Sequence, residues 1–273
     1  MGDKAREDSA VLKIATWNVN SINARLETAI SVLKTIDADV IALQEIKCED
    51  ARFPRGPIEE IGYNVETYGQ KTYNGVALLS KFRIEEVARG LPLDEHEADD
   101  HARYIEAVIA APGGPFRVGG LYAPNGNPIG TDKFTYKLDW LARLISHAEE
   151  LLSLEEPIVL MGDYNIIPEP EDCFDPKAWE MDALFQPESR SALRHIEYLG
   201  YSDALRACHN EPRLYTFWDY TAGCWQKDRG IRIDHILLSP QAADRLSTSG
   251  VNKHMRGREK PSDHVPVWCE LAV

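Results

Sequence analysis

Acidic, amide and imidazole side chains stand where short apolar runs of this 273-residue sequence begin or end. The ones able to bind a metal ion are Asn18, Glu45, Asp163, Asn165, Asp263 and His264. Oxygen ligands of this kind suit Mg²⁺ or Mn²⁺ better than Zn²⁺. A cation beside such side chains neutralises phosphate charge, while a carboxylate or an imidazole prepares a water for attack. The residue types therefore predict metal-assisted hydrolysis of a phosphate ester.

Asp234 and His264 are predicted to form a catalytic pair. Asp234 lies in the apolar run IRIDHILL, where strand alternation would bury its carboxylate, and a buried carboxylate needs a partner. The pairing would hold the imidazole of His264 in one tautomer and stabilise its charged form beside a phosphate. Taken singly, Glu45 and Asp163 would also suit turns, and His264 would also suit a structural role. Their occurrence together, in this order, favours the catalytic interpretation.

The apolar runs predict a β-α-β opening followed by more strands than helices. Its strands are residues 12–18 and 40–43, and its helix carries Leu26 and Leu33 at helical spacing, with Asn23 as the candidate cap. Further strands are predicted at 75–80, 103–110, 116–122, 158–161, 231–238 and 265–271, and helices at 132–152 and 189–199. This count favours an α/β (α+β) domain of two packed sheets flanked by helices over a doubly wound sheet. Ligands of α/β sheets gather outside the strand ends, where the polar residues stand.

Domain organisation and location follow from composition. We predict one domain over residues 11–273, preceded by a flexible polar tail at 1–10 that lacks the apolar segment of a signal peptide. No apolar run approaches the roughly 20 residues of a membrane-spanning helix. The five cysteines are an odd number without CxxC spacing, which predicts buried free thiols in a reducing cytoplasm.

The charge of the chain does not exclude a nucleic acid as partner. Although the formal net charge is −14, residues 253–260 hold four basic residues and one acidic residue. Net charge governs solubility and long-range steering, whereas binding depends on where the charges lie. We therefore expect one basic face on an acidic protein, with salt-sensitive binding.

Several motifs together give a resemblance that spans nearly the whole of residues 11–273. They are LQEIK, LYAPNG, MGDYN, TFWDY, RIDHILLS and KPSDHVP. In this order and spacing they resemble the exonuclease III family of AP endonucleases, in the endonuclease/exonuclease/phosphatase superfamily, and its bacterial members in particular. The resemblance implies a four-layer sandwich of two mixed sheets with helices outside. It further implies a monomeric DNA-repair enzyme that uses Mg²⁺, with Mn²⁺ able to substitute, on duplex DNA with abasic sites or 3′ ends.

The resemblance also implies roles for individual residues. Glu45 would be the metal ligand, assisted by Asn18 and, across the site, by Asp263. Asp163 and Asn165 would position and activate the attacking water. His264, oriented by Asp234, would contact the scissile phosphate or act as base, and Tyr122 would place its hydroxyl on the phosphate. Whether Asp163 or the histidine pair accepts the proton is left open.

Substrate contacts are implied in the same way. Phe217 and Trp218 would form the wall of a pocket for a base-free sugar, although either would also suit the core. The side chains in segments that line the DNA groove of the family are Arg103, Asn125, Lys133 and Lys137. Each would also suit an ordinary surface position. Ile46 and the segment YAPNGNP depart from the family pattern, which leaves open the balance between exonuclease and AP-endonuclease activity.

Two other functions compete with a DNA-repair nuclease. One is a phosphatase or phosphodiesterase of the same superfamily that acts on another phosphate ester. The other is a nucleic-acid-binding relative that has lost catalysis. Loss of catalysis is usually accompanied by loss of metal-binding or water-positioning residues, and all of those are present here.

Overall fold

The computed structural model describes residues 11–93 and 99–273, so the predicted tail at 1–10 lies outside the described residues. The strands are β1 Val11–Asn18, β2 Val40–Gln44, β3 Asn64–Tyr68, β4 Val76–Ser80, β5 Ile84–Arg89, β6 Tyr104–Ile109, β7 Phe116–Tyr122, β8 Ile158–Asp163, β9 Ser202–Asp203, β10 Asp234–Leu238, β11 Leu246–Val251 and β12 Val267–Ala272. The α-helices are α1 Leu26–Ile36, α2 Arg55–Glu59, α3 Asp132–Leu152, α4 Pro176–Trp179, α5 Pro187–Leu199, α6 Ala204–Cys208 and α7 Pro240–Ala243.

The strands form two six-stranded mixed sheets. The first has the order β11-β12-β1-β2-β4-β3, and the second has the order β5-β6-β7-β8-β10-β9. Each sheet contains one parallel pair, β1 with β2 and β7 with β8, while the other pairings are antiparallel. A helix connects the strands of each parallel pair, because parallel neighbours need a crossover.

Alternation along the strands separates the apolar side chains into layers. In β1, Ile14 packs between the two sheets, whereas Ala15 faces outward. The outer face of the first sheet packs on α1 through residues such as Val32. The outer face of the second sheet packs on α3 and α5, with Leu141 and Ile196 among the buried residues. The predicted four-layer sandwich is confirmed.

Other details differ from the sequence prediction. Strands β3, β5, β9 and β11 were not predicted, and Asp234 is the first residue of β10 instead of lying within a strand that starts at residue 231. Asn23 does not cap α1, because it is the first residue of a 3-10 turn that precedes the helix, and its side chain donates to the carbonyl of Arg52. All five cysteines are free, as predicted, but Cys208 is exposed and Cys224 is half-buried. No helix within the described residues has the length and apolarity to cross a membrane.

A buried ion network connects the segment before α4 to the residues that precede β10. Arg232 is 2% exposed and donates to Asp172 at 2.7 and 3.0 Å and to Asp203 at 2.5 Å. Its guanidinium also lies 3.0 Å from Nδ1 of His235. Burial opposes ionisation of both carboxyls, but the charge of Arg232 outweighs it and holds the pKa of Asp172 and of Asp203 below the ordinary value. The network fixes the chain directly before Asp234.

Candidate active site

Four of the predicted site residues stand at the carboxyl ends of the two parallel strand pairs. Asn18 ends β1, and Glu45 directly follows β2. Tyr122 ends β7 opposite Asp163, which ends β8. Because parallel strands end at the same edge of a sheet and the two sheets pack face to face, these side chains meet at one rim of the sandwich.

Three ligand atoms, one each from Glu45, Asp163 and His264, lie within 4.8 Å of one another. The amide of Asn18 connects the two carboxylates, because its Nδ2 donates to Glu45 at 2.8 Å and to Asp163 at 3.0 Å. Burial, opposed by His264 and reinforced by the charges of Asp234 and Glu45, raises the pKa of Asp163 to about 7. Crowded carboxylate oxygens of this kind fit a divalent cation, whose charge would relieve their repulsion.

Asp263 lies outside that three-residue group and reaches it through a hydrogen-bonded chain. Its Oδ1 accepts from Nδ2 of Asn20 at 3.0 Å, and Asn20 in turn accepts from Nζ of Lys47 at 2.7 Å. Lys47 also pairs with Glu45 at 2.7 Å. Burial opposes ionisation of Glu45, but hydrogen bonds from Asn18 and Lys47 outweigh it and lower the pKa of that carboxyl. Asp263 is thereby connected to Glu45, and its charge also contributes to raising the pKa of His264. Its role as a metal ligand stays a prediction.

Asp234 and His264 form the predicted pair. The carboxylate of Asp234 is fully buried, with Oδ2 at 2.9 Å from Nδ1 of His264 and at 2.6 Å from the donating hydroxyl of Thr216. The other ring nitrogen of His264 lies 3.7 Å from Asp163. Burial lowers the pKa of His264, but Asp234 and Asp163 outweigh it and raise the pKa to about 10. The imidazole is therefore held in its charged form.

Asn165 and Tyr122 border the same group. Asn165 has a left-handed backbone with φ of 50°, and its amide N–H donates to Asp163 at 2.9 Å. Its side-chain Nδ2 donates to the carbonyl of Ala123 at 2.8 Å, which connects the ends of β7 and β8. Burial, followed by the charges of Glu45 and Asp163, raises the pKa of Tyr122 well above its ordinary value, so its hydroxyl remains a proton donor.

The site also contains three residues that the sequence pattern did not predict, Asn20, Lys47 and Thr216. Lys47 belongs to LQEIK, two residues after Glu45, and that spacing was the available signal. Asn20 and Thr216 offered none, because each becomes significant only through its contact with a carboxylate from a distant part of the chain.

Comparison with known proteins identifies the family. The sequence model of the endonuclease/exonuclease/phosphatase family matches residues 15–264 of the chain. The chain belongs to this family. An exodeoxyribonuclease III of Haemophilus influenzae is 34% identical over 268 residues, covering 95% of this chain and all of that protein (100%). The family prediction is thereby confirmed, and with it the prediction that the chain is a hydrolytic enzyme.

Two solved structures from the same family agree over almost their full length. An AP endonuclease from Archaeoglobus fulgidus is 38% identical with a TM-score of 0.89, covering 96% of this chain and 100% of its own. A 3′ phosphatase from Neisseria, solved with a product DNA hairpin, is 36% identical with a TM-score of 0.89, covering 95% and 99% respectively.

Three of the four residues predicted to line the DNA-binding groove are accessible to solvent. Asn125 and Lys133 are exposed, and Arg103 is half-buried. The guanidinium of Arg103 lies 5.0 Å from the centroid of the Tyr122 ring and donates to the carbonyl of Tyr122 at 3.2 Å. Contact of these three side chains with a substrate stays a prediction.

Lys137 does not lie in the groove. Its side chain is fully buried, and Nζ donates to the backbone carbonyls of Asn125 at 3.2 Å and Asn165 at 2.5 Å. Burial lowers its pKa to about 7. The helical spacing explains the difference, because Lys137 is four residues before the buried Leu141 and shares the inner face of α3. The prediction that Lys137 contacts DNA directly is therefore wrong.

Trp218 does not form a pocket wall either. It is fully buried, and its Nε1 donates to Asp228 at 3.1 Å. Neighbouring side chains in an extended segment point to opposite sides, and Phe217 takes the other side. Phe217 lines a cavity of about 300 Å³ together with Ile231 and other residues, and its ring centroid is 4.9 Å from that of His264.

Proposed function

We propose that this chain is a Mg²⁺-dependent DNA-repair phosphodiesterase. It cleaves duplex DNA 5′ to abasic sites and removes nucleotides or blocking groups from 3′ ends. The observation that carries the proposal is the group formed by the carboxylates of Glu45 and Asp163 and the imidazole of His264, with one polar atom of each within 4.8 Å of the others at the rim where both sheets end. Relatives named for these activities on DNA support it over nearly the whole chain.

The side chains divide the chemistry among them. Glu45 and Asp163 would hold the cation, which when bound neutralises phosphate charge and stabilises the leaving oxygen. Because Asp234 keeps His264 charged, the imidazolium is suited to donate a hydrogen bond to the phosphate. Because His264 is then a proton donor, Asp163, whose carboxylate lies 3.7 Å from the imidazole, is the group suited to accept the proton of the attacking water. The un-ionised hydroxyl of Tyr122 can donate to the phosphate oxygen as negative charge develops.

The cavity beside Phe217 supports selectivity for a nucleotide without its base. It shares Phe217 with the catalytic rim, and apolar side chains such as Ile231 and Trp179 contribute to its lining. An abasic sugar rotated out of the helix could enter such a space, and no base would have to be recognised. The monomeric state, the cytoplasmic location and the preference for Mg²⁺, with Mn²⁺ as substitute, are further parts of this proposal.

A panel of labelled duplexes tests the proposed function. We expect cleavage 5′ to a tetrahydrofuran abasic site, and release of 3′ phosphate or 3′ nucleotides, in low millimolar Mg²⁺. A chelator should abolish cleavage, and Mg²⁺ or Mn²⁺ should restore it. If the protein hydrolyses inositol phosphates and leaves all the DNA duplexes uncleaved, the result would instead favour the competing phosphatase function. Binding of DNA without metal-dependent cleavage would favour an inactive relative.

Glu45→Ala should raise the metal requirement before it affects DNA binding. We expect the Mg²⁺ concentration for half-maximal rate to rise at least about 10-fold, an effect that even outer-shell partners of a metal can have. High Mn²⁺ should restore most of the rate. The thermal stabilisation that Mg²⁺ gives should weaken in parallel, because site-specific binding stabilises the fold. Glu49→Ala, an exposed acid four residues away, is the control and should behave as wild type.

A further inference from the structure

Lys137 is a buried lysine beneath the rim, and the chemistry assigned above does not use it. We propose that Lys137 is a positioning residue that holds the ends of β7 and β8 in their catalytic arrangement, so that Tyr122 and Asp163 face the same phosphate. This inference rests on the proposed function, since it concerns the same reaction. It gives Lys137 a role that requires no contact with DNA.

The contacts of Nζ carry this inference. Its two hydrogen bonds reach the carbonyl of Asn125, three residues after Tyr122, and the carbonyl of Asn165, two residues after Asp163. The two acceptors thus belong to the two segments that leave the parallel strands of the second sheet. One side chain, held by helix α3, fixes both segments at once.

The surrounding residues leave space for this side chain. Gly126 has a φ of 87°, and a Cβ at that position would lie 2.6 Å from Cδ of Lys137. A larger residue would therefore displace the lysine. Helix α3 buries Leu141 and Leu144 on the same face, so the first methylenes of Lys137 begin from a fixed position.

A charge pair does not explain the burial of this lysine. Among the described residues, no carboxylate oxygen lies within 4.0 Å of Nζ of Lys137. The ammonium offers three donors and the neutral amine two, so both forms can satisfy two carbonyls. Donation to the backbone is therefore the function of the group, whatever its protonation state.

The two segments also bond to each other, and this determines what Lys137 adds. Ala123 N–H donates to the carbonyl of Asp163 at 2.8 Å, and Nδ2 of Asn165 donates to the carbonyl of Ala123 at 2.8 Å. These bonds set the spacing of the segments, and Ala123, Tyr164 and Ile166 pack with α3 in one apolar cluster, a kind of contact that is not directional. Lys137 fixes them to the helix. A displacement of about 1 Å can lower a rate about 10²-fold.

Lys137→Met tests the inference, because methionine keeps the apolar part of the side chain and removes the donor. We expect the single-turnover rate on the abasic duplex, at saturating DNA and Mg²⁺, to fall about 10- to 100-fold. The Kd for the same duplex, measured in EDTA, should stay within about two-fold, since the side chain is remote from the groove. Chemical denaturation gives the folded fraction, and rates are compared per folded molecule.

Two other lysines make the comparison specific. Lys133→Met, one turn earlier on the exposed side of α3, should instead weaken DNA binding and reduce its salt dependence. Lys34→Met, at an exposed position of α1, should change neither quantity.

If Lys137→Met does not fold, Lys137→Gln takes its place. The glutamine amide keeps a hydrogen-bond donor, but its side chain is one bond shorter than that of lysine and reaches the two carbonyls less well. We expect at least a several-fold loss of rate from it.

The outcomes separate the inference from the proposed function. A Lys137 variant that keeps the wild-type rate per folded molecule, or that loses DNA affinity in place of rate, would overturn the positioning role. A wild-type protein that cleaves none of the duplexes would contradict the proposed function itself. Partial recovery of a Lys137→Ala variant by millimolar ethylamine, but not by ethanol, would support donation to the two carbonyls.

Discussion

Asp163→Asn lowers the single-turnover rate on an abasic duplex by a factor on the order of 10²–10⁴, the usual contribution of a positioned proton-transfer group. Asparagine keeps the size of the side chain but cannot accept the proton of a water at neutral pH, and it is a weaker ligand for a cation. The rate is measured by quenched flow or manual sampling at saturating DNA over a range of Mg²⁺ concentrations. If the loss disappears at high Mg²⁺, Asp163 is a ligand only.

The same substitution should leave the metal-free protein at least as stable as wild type above pH 7. A carboxyl whose pKa is raised by burial opposes folding once it is ionised, and the pKa of Asp163 is about 7. Removal of that charge relieves the repulsion from Asp234 and Glu45. Thermal unfolding in EDTA at pH 8 measures the effect. Asp139→Asn, on the exposed face of α3, is the matched control and should change neither rate nor Tm.

Arg232→Met should cost about 3–5 kcal/mol of unfolding free energy, because it removes the guanidinium from buried Asp203 and leaves buried Asp172 with Arg206 alone. For a domain of this size that corresponds to a fall in Tm of roughly 6–20 °C. Arg194→Met is the control, since its pair with Glu169 is between about one third and one half exposed (39% and 48%) and should contribute less than about 1 kcal/mol. Equal losses from both variants would contradict the importance of the buried network.

The pH dependence gives the Arg232 network a second test. Because the folded-state pKa values of Asp172 and Asp203 are depressed, their contribution to stability is present above the unfolded value of about 3.9 and is lost as pH falls through the folded values. Wild type should therefore lose stability below about pH 4. The difference in unfolding free energy between wild type and Arg232→Met should decrease toward the same pH, since protonation neutralises the two carboxyls. Urea unfolding between pH 7 and pH 3 measures both curves.

The strands that carry the site could be predicted from sequence, and several edge strands could not. β1, β2, β7 and β8 are runs of buried apolar residues, so each reveals its own position and its polar end. β5 is half-buried or exposed along its length and lies at the edge of its sheet. β11 also lies at an edge and carries mostly small and polar residues. Such strands form by pairing with a neighbour, and a sequence pattern does not contain that neighbour.

The same limit applies within the site. The Asp234–His264 pair was predicted because a carboxylate in an apolar run needs a partner. The hydroxyl of Thr216 and the amide of Asn20 carry no such signal, since either group could equally form its hydrogen bonds with water. Lys137 illustrates a different case, because the helical spacing that indicates its burial was already visible next to Leu141. There the similarity to DNA-binding relatives outweighed the periodicity.

Each sheet presents the same local plan, a parallel pair joined by a helix, with a carboxylate at the end of the second strand: Glu45 after β2 and Asp163 at the end of β8. The cation site is consequently assembled like the interface of a dimer, with one acid from each half, although a single chain supplies both. A change in the spacing of the sheets alters the separation of the two carboxylates directly. Core substitutions between the sheets, far from any phosphate, can therefore tune ion affinity.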